Sequence, residues 1–158
     1  MSKEMRQQID KFKKILTENS AEKSNTFDPN ELRQKALSYI DTNEGEIKNS
    51  MKYAYYDIVE EEIAYVDDDD TYNDAITFSK TKVEDVLTDV LNDLKRDISS
   101  MSAEEWKMDQ ERFAKQGITE INEFVDAFVR RHINVNAYEM LEDAVYGLIQ
   151  EFMRARND

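Results

Sequence analysis

The sequence of 158 residues has no cysteine, one proline and three glycines. Without cysteine, neither a disulfide framework nor a thiolate metal site can form. So few glycines and prolines argue against a β-sandwich, whose many tight turns need them, and against a glycine-rich nucleotide fold. The chain contains no P-loop, no Gly-x-Gly-x-x-Gly and no Gly-x-Ser-x-Gly motif. This composition favours an all-α protein with short connections.

The sequence also lacks a long apolar run and an excess of positive charge. Residues 1–6 contain no apolar stretch that could serve as a secretory signal, and no run approaches the length of a membrane span. We therefore predict a soluble, cytoplasmic protein. A net charge of −14 disfavours direct binding to nucleic acid, which needs clustered Lys and Arg, and disfavours binding to anionic membranes. We expect neither as a partner.

The residue pattern gives little indication of a metal or cofactor site. The run Asp67–Asp70 suggests calcium, but a helix–loop–helix calcium site needs glycine at the sixth position and glutamate at the twelfth. Counting from Asp67 or from Asp69, no register satisfies both requirements. His132 is the only histidine, and its place after two arginines at a predicted helix end suits a C-terminal cation. We therefore predict no metal, no cofactor and no catalytic residue.

Residues 53–79 form an acidic segment without a single lysine or arginine. This segment of 27 residues holds nine of the chain's acids and five of its eight tyrosines. Folds usually intersperse the two signs of charge, because like charges at this density repel one another. The segment is therefore the candidate surface for a positively charged partner.

Helical periodicity divides the rest of the chain. Residues 1–26 are predicted to be a basic amphipathic helix and a polar linker that tethers it loosely to the rest of the chain. Residues 27–158 are predicted to be a compact domain, which brings the total to about six to seven helices. Asp28-Pro29 reads as a helix start, and Ser102 with Glu105 reads as a capping box. A helix over residues 46–66 carries part of the acidic segment.

Three further local predictions concern the segments between the helices. We expect residues 67–79 to be a loop, with a short extended piece over 75–78, because four adjacent acids at a helix C-terminus oppose the helix dipole. Thr81 with Glu84 is predicted to start the next helix. Residues 134–136 are predicted to be a turn, so that the last two helices form a hairpin or half of a dimer interface.

The function we infer from the acidic segment is non-enzymatic binding to a protein with a basic, nucleic-acid-binding surface. Carboxylates one helical turn apart lie about 6 Å from each other, a spacing comparable with that of phosphates along a nucleic-acid strand. In charge, size and helicity the chain is similar to the small acidic DNA-mimic inhibitors of bacteriophages and mobile elements. The residues predicted to contact the partner are Tyr55, Tyr56, Asp57, Glu60, Glu61, Tyr65, Asp67, Asp68, Asp69, Asp70, Tyr72 and Asp74.

Two alternatives remain open at this stage. The first is an assembly protein, a scaffold or connector, that forms a homodimer through its C-terminal helices. The apolar residues involved would be Phe124, Phe128, Leu141, Val145, Leu148 and Phe152.

The second alternative is a magnesium-dependent, all-α nucleotide pyrophosphohydrolase. Its carboxylates would be Asp57, Glu60 and Glu61 facing Glu84, Asp85 and Asp89. The sequence departs from the Glu-x-x-Glu and Glu-x-x-Asp spacing of that family, because Leu87 follows Glu84 three residues later.

Overall fold

The computed structural model of this chain describes residues 2–9 and 27–157. Residues 3–9 are helical and every described side chain before residue 10 is exposed. The predicted continuation of this helix and the predicted linker, residues 10–26, lie outside the described residues.

Six α-helices make up residues 27–157, so the all-α prediction is confirmed. No strand occurs among the described residues, and none of their helices is both long and apolar enough to cross a membrane. The helices are α1 (Pro29–Thr42), α2 (Glu44–Glu62), α3 (Asp69–Ser99), α4 (Ala103–Ala114), α5 (Ile121–His132) and α6 (Tyr138–Asn157), and a π-helical turn over Ile133–Ala137 joins the last two.

The core is organised along α3, whose 31 residues correspond to a length of about 46 Å. Its buried positions recur at spacings of three and four, so they form one continuous stripe. Helices α1, α2 and α6 all pack against α3, while α5 packs on α1. The buried positions of α3 are Ala75, Ser79, Val83, Leu87, Val90, Leu91, Leu94 and Ile98.

Two helix starts follow the local sequence signals. The side chain of Asp28 accepts a hydrogen bond from the amide of Asn30 at 3.2 Å, and proline follows at the first helical position. Ser102 and Glu105 form the predicted capping box at the start of α4, with the amide of Glu105 donating to Ser102 Oγ at 3.1 Å. Both predictions are confirmed.

The predicted loop over residues 67–79 is wrong, because most of that segment is the first third of α3. Helix α2 ends at Glu62, and residues 63–68 make the connection. Asp68 is the N-cap of α3, and Asp69 and Asp70 occupy its first turn, where the helix dipole favours negative charge. The acids therefore start a helix rather than stop one.

The predicted extended piece and the capping box at Thr81 are also wrong, since both lie inside α3. Ala75 and Ser79 are fully buried, and they belong to the same buried stripe of α3 as Val83 and Leu87. The hydroxyl of Thr81 donates to the carbonyl of Phe78 at 2.6 Å, a bond within the helix. Burial of this stripe outweighs the weak strand preference of the β-branched residues here.

The predicted turn over residues 134–136 is replaced by the π-helical turn, so the C-terminal hairpin is wrong as well. The backbone stays in the right-handed helical region from Ile133 to Tyr138. As a result α6 packs on α2 and α3 instead of folding back along α5.

The assembly-protein alternative assigns a set of apolar residues to a dimer interface. Most of these residues lie instead in the core of one chain. Phe124, Phe128, Leu141 and Val145 are at most 2% exposed. Leu148 and Phe152 are half-buried against the same core. The rings of Phe124 and Phe128 also pack at tilted angles against Trp106, which is fully buried. These side chains hold α5 and α6 to the domain.

We predict that Asp68→Ala destabilises the protein by about 1 kcal/mol, because it removes the N-cap of the longest helix. The melting temperature should fall by about 4 °C, measured by circular dichroism. Asp67→Ala is the matched control, since it removes the same charge from the adjacent exposed position. Equal destabilisation by the two substitutions would contradict the capping role.

Candidate functional site

An open groove lies between the middle of α2 and the first residue of α6. It has a volume of about 550 Å³. Spacings of three and four place Ala54, Asp57, Glu60 and Glu61 on one face of α2, and Ala64 lies just after its end. We call this the acidic groove, and its lining residues are Ala54, Asp57, Glu60, Glu61, Ala64 and Tyr138.

The acidic groove combines three carboxylates with a small apolar floor. The alanines leave space beside the helix, and Tyr138 is 39% exposed, so its ring offers an aromatic wall. Among the residues that the structure describes, none that lines the groove is cationic. Across the described ranges, none of the carboxylates of Asp57, Glu60 and Glu61 takes part in an ion pair. The groove is therefore suited to a cationic side chain with an aliphatic stem.

A second groove, of about 480 Å³, lies between the end of α2 and the second half of α6. Two exposed tyrosines lie in it, Tyr65 at 68% and Tyr146 at 54% exposure. Gln150 donates a hydrogen bond to the hydroxyl of Tyr146 at 2.6 Å. We call this the tyrosine groove, and its lining residues are Glu62, Tyr65, Tyr146, Ile149, Gln150, Met153 and Arg154.

Two of the acids at the start of α3, Asp68 and Asp74, form a hydrogen bond or an ion pair within the chain. The carboxylates of the acidic groove form no ion pair among the described residues. The amide and the hydroxyl of Thr71 donate to Asp68, which holds the pKa of that carboxyl below its usual value. Asp74 forms an ion pair with Arg156 of α6 at 2.6 Å. Asp67, Asp69 and Asp70 are exposed. This end of the acidic segment thus has a structural role in starting α3 and tying it to α6.

Tyr55 is not a contact residue, so this site prediction is wrong. Its side chain is fully buried, and its hydroxyl donates to the carbonyl of Ser79 at 2.7 Å. The bond links α2 to α3, and burial raises the pKa of Tyr55 to about 12. Tyr56 and Tyr72 are half-buried, and the ring of Tyr56 meets that of Tyr55 edge-on at 5.3 Å between centroids.

The remaining predicted residues fall into two groups. Asp57, Glu60 and Glu61 meet in the acidic groove, and Tyr65 lies in the tyrosine groove. The other group lines neither groove and consists of Tyr56, Asp67, Asp68, Asp69, Asp70, Tyr72 and Asp74.

Tyr138 and Tyr146 are not among the contact residues predicted from the sequence. The signal was nevertheless present in the pattern. Ala137, Leu141, Val145 and Ile149 repeat every four residues and are all buried. The positions immediately after them, 138, 142, 146 and 150, therefore share one exposed edge of α6, about a quarter of a turn from the buried stripe.

A third cavity, of about 520 Å³, lies beside the π-helical turn and is of mixed charge. His132, the last residue of α5, lines it and is held by a hydrogen bond of 3.1 Å between its Nδ1 and the carbonyl of Phe128. Because its lining mixes acids with arginines, the cavity does not present a single sign of charge to a ligand. These residues are Asp97, Glu105, Asp109, Arg112 and Arg131.

A polar contact between α1 and α5 borders a smaller groove. The hydroxyl of Tyr39 donates to Asp126, and Arg130 Nε donates to the same carboxylate oxygen at 3.1 Å. The hydrogen bond from Tyr39 lowers the pKa of Asp126, and the same bond raises the pKa of Tyr39. The contact joins α1 to α5, and we interpret it as structural.

The carboxylates of the pyrophosphohydrolase alternative do not share one groove. Asp57, Glu60 and Glu61 line the acidic groove, whereas Glu84, Asp85 and Asp89 are exposed on α3 and do not line it. Among the described residues, no group of three or more His, Cys, Asp or Glu side chains is placed to hold a metal ion.

Comparisons with known proteins gave no relative for this fold and site. No protein-family model matches the chain, and neither a curated protein nor a solved structure matches it.

We predict that Tyr55→Phe lowers the free energy of unfolding by about 1 kcal/mol at neutral pH, because the bond to Ser79 is lost. The substitution should also reduce the amount by which the free energy of unfolding falls as the pH rises above 10. Between pH 10 and 12 the unfolded wild type releases this proton and the folded protein keeps it, so the folded state loses stability as the pH rises.

Urea unfolding at pH 8, 10 and 11 measures both effects. Tyr53→Phe is the control, because Tyr53 is 78% exposed and its substitution should leave the wild-type pH dependence unchanged. If Tyr55→Phe and wild type lost stability in parallel above pH 10, the buried hydroxyl would not be the source.

Proposed function

We propose that this chain is a non-enzymatic binding protein whose acidic groove takes a basic segment of another protein. The observation that carries the proposal is the set of three carboxylates in the acidic groove, none of which is paired within the described residues. The partner is a nucleic-acid-handling protein, and the chain acts on it as a DNA-mimic inhibitor.

Electrostatics supports a positively charged partner. A chain with a net charge of −14 repels acidic proteins and nucleic acid at long range and attracts basic surfaces. Such attraction raises the rate of association and is screened over about 10 Å at 0.1 M salt. Binding is therefore fast at low ionic strength and strongly weakened by salt.

The shape of the acidic groove favours arginine or lysine over a simple metal ion. Its floor of Ala54, Ala64 and the Tyr138 ring accommodates an aliphatic stem, while Asp57, Glu60 and Glu61 receive the cationic head. Arginine can bind a carboxylate through two parallel hydrogen bonds and stack on a tyrosine ring. The same side chains bind phosphates in nucleic-acid-binding proteins, which supports a partner of that class.

The tyrosine groove extends the candidate contact along the same two helices. Tyr65 and Tyr146 are large, exposed aromatic side chains of the kind enriched at protein interfaces. Aromatic contacts would supply buried area that the carboxylates alone do not.

We predict that neutralising the acidic groove weakens partner binding about tenfold or more at about 0.1 M salt, given about 0.2–1 kcal/mol per exposed charge pair. The variant is Asp57→Asn/Glu60→Gln/Glu61→Gln. Its matched control, Glu84→Gln/Asp85→Asn/Asp89→Asn, removes the same charge from exposed positions of α3.

The measurement starts with capture of partners from the native host at low salt by wild type and both variants. A partner retained by wild type and the control, but lost by the groove variant, should be a nucleic-acid-binding protein that double-stranded DNA displaces. Equal loss with both variants, or affinity that does not change with salt, would contradict the proposal.

We further predict that Tyr138→Ala reduces affinity for the same partner about thirtyfold, as expected when an aromatic contact at the centre of an interface is removed. Tyr53→Ala is the control, since Tyr53 is more exposed and lines neither the acidic nor the tyrosine groove. Titration calorimetry would compare the two, and a larger effect of Tyr53→Ala would place the contact elsewhere on α2.

A further inference from the structure

We propose that the third cavity, beside the π-helical turn, binds a small zwitterion with an apolar side chain, of the amino-acid or short-peptide type. The cavity has a volume of about 520 Å³, within the range of about 300–1,000 Å³ that is typical of small-molecule sites. Among the described residues, it shares no lining residue with the acidic groove or the tyrosine groove. The inference therefore goes beyond the proposed function and does not depend on it.

Three parts of the chain meet around the third cavity. They are the end of α3, the helix α4, and the end of α5 with the π-helical turn. Turns of this kind are rare, and they occur frequently at functional sites. Here the turn contributes Val135 and Asn136 to the lining, directly after Arg131 and His132. The ring of His132 packs against that of Phe128 at 4.1 Å between centroids, which holds this side of the cavity in place.

Most polar side chains of the lining already have a partner within the chain. Glu105 belongs to the capping box that begins α4, and Arg112 forms an ion pair with Asp109 at 3.5 Å. Asp97 and Arg131 differ from these residues, because neither takes part in an ion pair among the described residues. An acid and a base thus line one cavity but lie too far apart to pair with each other.

Two exposed apolar side chains line the same cavity, Met108 at 57% and Val135 at 51% exposure. Within residues 27–157, every other large apolar side chain that is exposed belongs to a tyrosine. Covering apolar surface is favourable, and a flexible methionine adapts readily to the shape of what covers it. The cavity therefore offers an apolar wall beside its two unpaired charges.

These groups specify a ligand that carries both signs of charge. Its ammonium group binds the carboxylate of Asp97 in the last turn of α3, where the helix dipole also favours a cation. Its carboxylate binds the guanidinium of Arg131, which can donate two parallel hydrogen bonds. Its apolar side chain covers Met108 and Val135.

A ligand of a single sign is disfavoured by the same arrangement. Arg131 opposes a simple cation, and the net charge of −14 repels a simple anion at long range. A zwitterion has no net charge, so it avoids the long-range repulsion and still satisfies both side chains. An amino acid with an aliphatic side chain carries all three of the required groups.

The test is a titration of leucine into the isotope-enriched full-length chain, followed through amide chemical shifts. We expect saturable shifts at Asp97, Arg131 and Asn136, and none at Ala54 or Tyr138 of the acidic groove. N-acetyl-leucine lacks the ammonium group and leucinamide lacks the carboxylate. Each should bind at least about tenfold more weakly than leucine, as expected when a hydrogen bond to a charged group is lost.

Variants of the protein assign each charge of the ligand to its partner. Leucine should bind Asp97→Asn and Arg131→Gln about tenfold more weakly than wild type. N-acetyl-leucine should bind Asp97→Asn as well as wild type, and leucinamide should bind Arg131→Gln as well as wild type, because each analogue has already lost that contact. The controls Asp85→Asn and Lys107→Gln make the same changes at exposed positions outside the cavity and should bind leucine as wild type does.

The dipeptide Leu-Leu carries the same two charges at a greater separation, so its affinity relative to that of leucine decides between a peptide and a free amino acid. Tighter binding of either molecule supports the inference. Absence of shifts at the cavity with both molecules overturns it. Equal binding of leucine and its two analogues, or equal losses in the variants and their controls, overturns it as well. The acidic groove takes no part in these measurements, so neither result bears on the proposed function.

Discussion

Burial of the apolar stripe of α3 is the interaction on which the remaining structure depends. Helices α1, α2 and α6 meet along this one helix, and their buried side chains share a single core. Burying each large aliphatic side chain contributes about 1.5–3 kcal/mol. Helices α2 and α6 pack on α3 and also on each other, and the acidic groove that Asp57, Glu61 and Tyr138 line lies between them.

The acidic segment is divided by the fold into two parts with different physical roles. At the start of α3, negative charge is stabilised by the helix N-terminus, by Thr71 and by Arg156. On α2, the carboxylates of the acidic groove receive no comparable compensation from the described residues. What distinguishes Asp57, Glu60 and Glu61 within the acidic segment is that they line one groove together and form no ion pair among the described residues.

Tyr55 and Tyr138 show that residue type alone does not predict whether a tyrosine is buried or exposed. Both lie at helical spacings beside apolar residues, yet Tyr55 is fully buried and Tyr138 forms a wall of the acidic groove. A tyrosine has a large apolar ring and one polar atom, so it suits either environment. The backbone carbonyl of Ser79 on the adjacent helix accepts a hydrogen bond from the Tyr55 hydroxyl, so this polar atom is satisfied although the side chain is buried.

The sequence by itself determined the helical class, the starts at Asp28-Pro29 and Ser102, and the presence of carboxylates on the exposed face of α2, because these depend on neighbours within one or two turns. Tertiary structure decided that Asp68 begins a helix, that residues 133–137 continue one, and that Tyr138 meets Asp57 and Glu61. Those outcomes depend on which distant surfaces are buried together, and the free energy of that burial exceeds the local preferences that sequence patterns express.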